Sequence, residues 1–125
     1  MTDEQRLFAV RGAAQAEMNS RDAVLAAAEE LIGELLGRNG VTPETAVSCI
    51  FTVTDDLTAE FPAVAARRLG FDRVPLLCAR EMEVPGAMAR VIRVLMHYYA
   101  PVGHEPAHVY LGAARELRSD LHSAQ

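Results

Sequence analysis

One stretch limits what this chain can become more than any other. Val24, Leu25, Ala28, Leu31, Ile32, Leu35 and Leu36 recur at the three- and four-residue spacing that places them on one face of an α-helix. Asn19-Ser20 offers side-chain oxygens for the free N–H groups of the first turn, and Asp22 puts a carboxylate there. Asn39-Gly40 supplies a residue able to take the left-handed conformation that ends a helix. The spacing predicts one long amphipathic helix between Ser20 and Gly40. A single apolar stripe needs a second layer to cover it.

The rest of the chain provides strands for that layer. Leu7 to Ala14 reads as a first strand burying both faces, and the β-branched run Val47–Thr54 as a central one. Val74–Cys78 reads as a short strand, with Pro75 pointing to an edge or irregular position. Ala87–Tyr99 fits a helix at Met88, Val91, Ile92 and Leu95, but Val91-Ile92-Arg93-Val94-Leu95 favours a strand. His108–Leu111 reads as a last strand after a loop from Pro101 to Pro106, and a mixed tail follows. A short helix is expected from Phe61 to Gly70. The order βαβ(α)βββ predicts an α+β fold, a mixed sheet packed on one long helix. At 125 residues, the chain is expected to form one domain over 1–125.

Charge narrows the function. The net charge is −5, with a pI of about 5.3, so a nucleic-acid partner, which needs a basic face, is not expected. No apolar run is long enough to span a bilayer, and the acidic Met1-Thr2-Asp3-Glu4 lacks the basic start of a signal peptide. Cys49 and Cys78 have no CxxC spacing. A cytoplasmic protein without membrane association is the expectation. All 12 basic residues are arginines. Arginine presents a planar fork that grips carboxylates through two hydrogen bonds, so an acidic chain that binds an anion needs a local arginine cluster.

Two motifs fail on inspection. His104-Glu105-Pro106-Ala107-His108 matches HExxH, whose zinc chemistry requires both imidazoles on one helical face. Pro106 disfavours a helical Glu105, and strand residues follow, so these histidines are expected in a loop and no metal is expected. Cys49 sits in an apolar strand and reads as a small buried residue. Cys78 has a more polar setting, but no histidine base is near in sequence.

Three arginines remain. Arg11 follows an apolar strand, Arg67 lies on the short helix after Phe61, and Arg93 interrupts Val91-Ile92 and Val94-Leu95. A charge inside such a run is costly unless it meets a partner or faces solvent. Arg90, on the opposite strand face, reads as the solvent-facing residue.

Several segments resemble the AroH-type, single-domain chorismate mutases. They are Val10–Ala13, Leu57–Ala63, Val74–Val84, Ile92–Met96 and His108–Leu111, in family order, within a span from Leu7 to Leu121. The resemblance implies a barrel-like homotrimer with active sites between subunits, and chorismate as substrate with no cofactor. It also implies that Arg11, Arg93 and Tyr110 bind the substrate's carboxylate and ether oxygen. Glu81 and Cys78 would contact its ring hydroxyl, Phe61 and Leu117 would line the pocket, and Arg67 would add positive charge at the mouth. Val64 stands where family members can have lysine, and Leu77 where they can have threonine, at the pocket edge.

The implied reaction suits these residues. Chorismate becomes prephenate by a pericyclic Claisen rearrangement, without a covalent intermediate, so electrostatic stabilisation and conformational restriction are what a protein can add. A non-catalytic trimeric module that binds a small carboxylate would need the same arginines and is the alternative.

Overall fold

The computed structural model describes residues 4–118. The helix that dominates the sequence forms as α1, Arg21–Asn39. The Ser20 hydroxyl accepts a hydrogen bond from the Ala23 N–H, and Gly40 closes the helix in the left-handed conformation. Its stripe of Val24, Leu25, Ala28, Leu31, Ile32 and Leu35 is buried.

The stripe packs on a five-stranded mixed sheet in the order β3-β2-β4-β1-β5. The strands are β1 (Gln5–Gln15), β2 (Ala46–Val53), β3 (Leu76–Arg80), β4 (Val91–Pro101) and β5 (Val109–Tyr110). Antiparallel pairs β1/β4 and β2/β4 form its centre, and parallel pairs β2/β3 and β1/β5 form its edges. The α+β class, the mixed sheet and the strand from Val91 onward are as the sequence predicts.

The boundaries differ where register, a non-local property, decides them. β3 starts at Leu76 because Pro75 has no N–H to give the ladder; only its carbonyl takes part, accepting from the Cys49 N–H at 3.0 Å. Its edge position follows the same logic. The short helix is α2, Ala63–Arg68, shorter than expected, and leaves Phe61 outside it. Residues 87–90 do not join β4, because Arg90 turns the chain at φ 54.

Arg90 is therefore a corner residue and not a solvent-facing strand residue. Its backbone N–H reaches both Asp56 carboxylate oxygens at 3.1 and 3.0 Å, and its Nε donates to the Ala16 carbonyl at 2.9 Å. β1 also departs from expectation. Phe8 and Val10 are buried against the core, but Leu7 and Ala9 on the alternate face are exposed.

Strand alternation gives the sheet two unlike faces. Toward α1 lie Val10, Met96, Cys49 and Leu76 in one cross-strand row, and Val109, Gly12, Val94, Phe51 and Cys78 in another. Gly12 is required there: a Cβ would sit 2.8 Å from the Val109 carbonyl oxygen and 2.9 Å from Leu31 Cδ1. Neither α1 nor α2 covers the other face; among the described residues only the Gly112–Ala114 turn and Leu117 pack on its β5 end, and this face holds the candidate site. Among the described residues no helix is long and apolar enough to cross a membrane.

Candidate active site

Two cross-strand rows build the open face. One runs Arg11, Leu95, Ile50, Leu77; the next runs Tyr110, Ala13, Arg93, Thr52, Ala79. The first residues of each row meet around a cleft of about 230 Å³, lined by Arg11, Arg93, Tyr110, Thr52, Ile50 and Leu95 among others. Arg11 on β1 and Arg93 on β4 are far apart in sequence, and the antiparallel ladder brings both to this cleft. Tyr110 joins them because β5 runs parallel to β1 and pairs with Ala13. Its ring is buried with Ala13, Val91 and Ala114, and Leu117 packs against that cluster.

One carboxylate, Glu81, lies beside Arg93 but outside the lining of the arginine cleft. Glu81 Oε2 lies 3.1 Å from Arg93 Nε, with the two side chains 22% and 40% exposed. The pair is close in distance, yet the Nε hydrogen does not point at the oxygen, and this buried nitrogen has no hydrogen-bond acceptor among the described residues. Glu81 Oε2 instead accepts from the Thr52 hydroxyl. Among the described residues no carboxylate pairs with Arg11. The cleft thus carries excess positive charge inside a protein of net charge −5, an arrangement suited to a small anion.

The remaining expected site residues lie elsewhere. Cys78 belongs to the helix-facing row and packs against the core. It lines a second cleft of about 380 Å³ with Phe61, Pro62, Leu57, Glu60 and Arg80. Phe61 is 67% exposed there, a large apolar side chain with no cover in the monomer. Leu77 is exposed at the β3 edge of the open face, and Val64 is half-buried against the core. Arg67 is exposed on α2, outside the lining of both clefts. Within one chain, therefore, Arg11, Arg93 and Tyr110 meet on the open face, Phe61 and Cys78 meet at the cleft on the opposite side, and Leu77 and Arg67 line neither cleft.

The 104–108 stretch is irregular and acts as scaffold; His104 lies in the predicted loop, whereas the last strand, expected over His108–Leu111, is only Val109–Tyr110. His104 Nε2 lies 2.6 Å from the Tyr98 hydroxyl, and its ring meets Phe8 edge-on at 5.0 Å. Burial pushes the Tyr98 phenol above its usual range. The buried Asn39 amide donates to Leu35 and Ala107 carbonyls at 2.9 and 3.0 Å, and its oxygen accepts from the Ala107 N–H at 2.7 Å. His108 Nδ1 accepts from the Arg11 backbone N–H at 3.0 Å. That bond holds the His108 ring nitrogen unprotonated. Burial, then the nearby Arg11 and Arg118 charges, keep the imidazole below its ordinary pKa.

Cys49 is the buried small residue that its strand predicts. Burial, reinforced by Cys78 nearby, pushes its thiol up to about 12. Thr52, His108 and Asn39 carry no sequence signal that marks them as site support. Thr52 needs the β2/β4 register to be placed beside Arg93, and Asn39 reads only as a helix end.

A family model described as chorismate mutase type I matches residues 7–121. The chain belongs to the type I chorismate mutases. The match encloses every residue of the Arg11–Arg93–Tyr110 cleft. A relative named chorismate mutase AroH from Thermus thermophilus is 48% identical over 118 residues, covering 93% of this chain and 97% of its own. Another of the same name, from Bacillus subtilis strain 168, is 36% identical over 114 residues, covering 90% of each. A solved structure described as the chorismate mutase from Clostridium thermocellum Cth-682 superposes with a TM-score of 0.82 at 38% identity. It covers 87% of this chain and 98% of that one. Membership makes this chain an isomerase that converts chorismate to prephenate.

Proposed function

We propose that this chorismate mutase works as a barrel-like homotrimer, with each site closed between two subunits. Arg11, Glu81, Arg93, Tyr110 and Leu117 come from one subunit, and Phe61, Arg67, Leu77 and Cys78 from its neighbour. The observation that carries the reading is the convergence of Arg11 and Arg93 on a Tyr110-lined cleft.

Three features support assembly. The cleft is about 230 Å³, below the roughly 300 Å³ at which ligand pockets usually begin. The open face is apolar at Leu7, Ile50, Leu77, Leu95 and Tyr99, where a solvated sheet face is ordinarily polar. The second group of residues, around Phe61 and Cys78, reaches the first only if a neighbouring copy brings it there.

The chemistry follows from the charge. As the ether C–O bond of chorismate stretches and the new C–C bond forms, negative charge develops on the ether oxygen. The Arg93 guanidinium meets that charge as it grows, which stabilises the transition state more than the substrate. One such donor contributes about 3–4 kcal/mol. An acceleration of roughly 10⁶ needs about 8 kcal/mol, so binding the dianion in its compact reactive shape supplies the rest. Arg11 and Tyr110 hold a carboxylate, and Glu81 accepts from the ring hydroxyl. Cys78 is a contact at that hydroxyl and forms no covalent bond.

The test is direct. Purified protein consumes chorismate with prephenate as product, and light scattering gives three times the 13.6 kDa chain mass. Chorismate binding without turnover would instead leave a carboxylate-binding module, and a fully active monomer would remove the shared site.

A further inference from the structure

Thr52 lies at the centre of the open face, between Arg93 across β4 and Ala79 across β3. Strand propensity explains a β-branched residue there but does not require a hydroxyl, since valine suits the position equally. The hydroxyl has a definite use: it donates to Glu81 Oε2. The same oxygen is 3.1 Å from Arg93 Nε, which is shielded from solvent and lacks an acceptor among the described residues. One carboxylate oxygen stands between two donors, and only the neutral one is aligned with it.

A guanidinium beside a carboxylate tends to close into a two-bond fork. Closure here would satisfy Arg93 Nε and spend its charge on Glu81. The Glu81 backbone is already fixed, its N–H donating to the Val53 carbonyl at 2.9 Å just past the end of β3. Side-chain torsion alone is left to choose between Thr52 and Arg93. Glu81 Oε1 has no partner among the described residues and remains open to a ligand hydroxyl.

We propose that Thr52 is a positioning residue that holds the Glu81 carboxylate off a closed ion pair with Arg93, leaving the guanidinium charge for the substrate. The inference rests on the roles given above to Arg93 and Glu81. It adds a specific function to a hydroxyl that contacts no reacting atom.

Thr52→Val keeps shape and removes the donor. It should lower kcat/KM by roughly tenfold or more, while the thermal midpoint stays close to that of the unmodified protein. Thr52→Ser, which restores the hydroxyl, should recover activity to within about threefold. In a Glu81→Gln background, Thr52→Val should cost much less than it does alone, because the two changes act through one contact. A purely structural threonine would give additive losses and no rescue by serine. The inference is overturned if Thr52→Val stays within about twofold of wild type, if serine is as poor as valine, or if the losses add fully. Arg93→Ala measured alongside separates the two levels. Retained activity there sinks the site assignment, whereas a dead Arg93→Ala with an unaffected Thr52→Val sinks only the role of Thr52.

Discussion

The two faces of one sheet carry different burdens. Toward α1, the rows Val10–Met96–Cys49 and Val109–Gly12–Val94–Phe51 are neutral and closed to water. One residue further along each strand, the open face presents Arg11, Arg93, Thr52 and Tyr110. A lone charge on the helix side would cost several kcal/mol, because burial strips its water without a partner. On the open side both arginines are only half-buried, so part of their charge stays solvated until a ligand replaces the water. Stability and chemistry are therefore separable along single strands.

Arg93→Ala is the sharpest way to break that separation. It removes an open-face charge that supports no core packing. It should lower kcat/KM by about 10²–10³-fold or more and leave the thermal midpoint nearly unchanged. A loss below about tenfold, or a large drop in stability, would put Arg93 in the wrong category.

Gly12→Ala probes the opposite face. Its added Cβ meets the Val109 carbonyl at 2.8 Å and Leu31 Cδ1 at 2.9 Å, and β5 and α1 must both give way. Denaturant titration should show a loss of about 1–3 kcal/mol. An unchanged midpoint would mean that the helix layer gives way at Val109 and Leu31 without cost.

Much of this contrast is legible in the sequence, for local reasons. The caps of α1 lie within a turn of the residues they serve, so Ser20 and Gly40 mark both ends. Arg93 stands out because it interrupts an apolar run. Properties set by register are hidden. Pro75 contributes a carbonyl and no N–H, which moves β3 two residues from where composition places it. Arg90 takes a left-handed conformation that its side chain does not advertise. The Thr52–Glu81 contact joins β2 to the loop after β3, and no spacing rule connects them. The division of Phe61 and Cys78 from Arg11 and Arg93 likewise needs the strand alternation to be fixed first.

Cys78→Ser should have a smaller effect, a few-fold loss at most, because a hydroxyl can replace a weak thiol donor. Mass spectrometry during turnover should show no covalent adduct. An adduct, or complete loss with serine, would make Cys78 a nucleophile.

The mildest effect concerns His108, which ties the open-face residue Arg11 to β5. Burial, then Arg11 and Arg118, hold its pKa below the ordinary 6.5. The unfolded chain thus binds the proton more strongly than the folded one. The stability His108 contributes is fully present above pH 6.5 and is lost as pH falls from there toward the lowered value. Denaturation midpoints measured from pH 8 to 5 should decline only on the acid side. His108→Asn, whose amide oxygen replaces Nδ1 without titrating, should reduce that decline. An equal decline in the variant would assign it to other groups.

The central claim is that the two residue groups form one site across a subunit boundary, and subunit mixing tests it most directly. Arg93→Ala disables one wall. Phe61→Glu, at an exposed position, sets a negative charge on the other wall against the dianion. Each variant alone should be nearly inactive. After dissociation and equal reassembly, roughly a quarter of the sites should combine two intact walls, with activity recovering in proportion. The double variant mixed with either single variant should recover none. No recovery from mixing the two single variants, despite confirmed subunit exchange, would contradict the account and return both walls to a single chain.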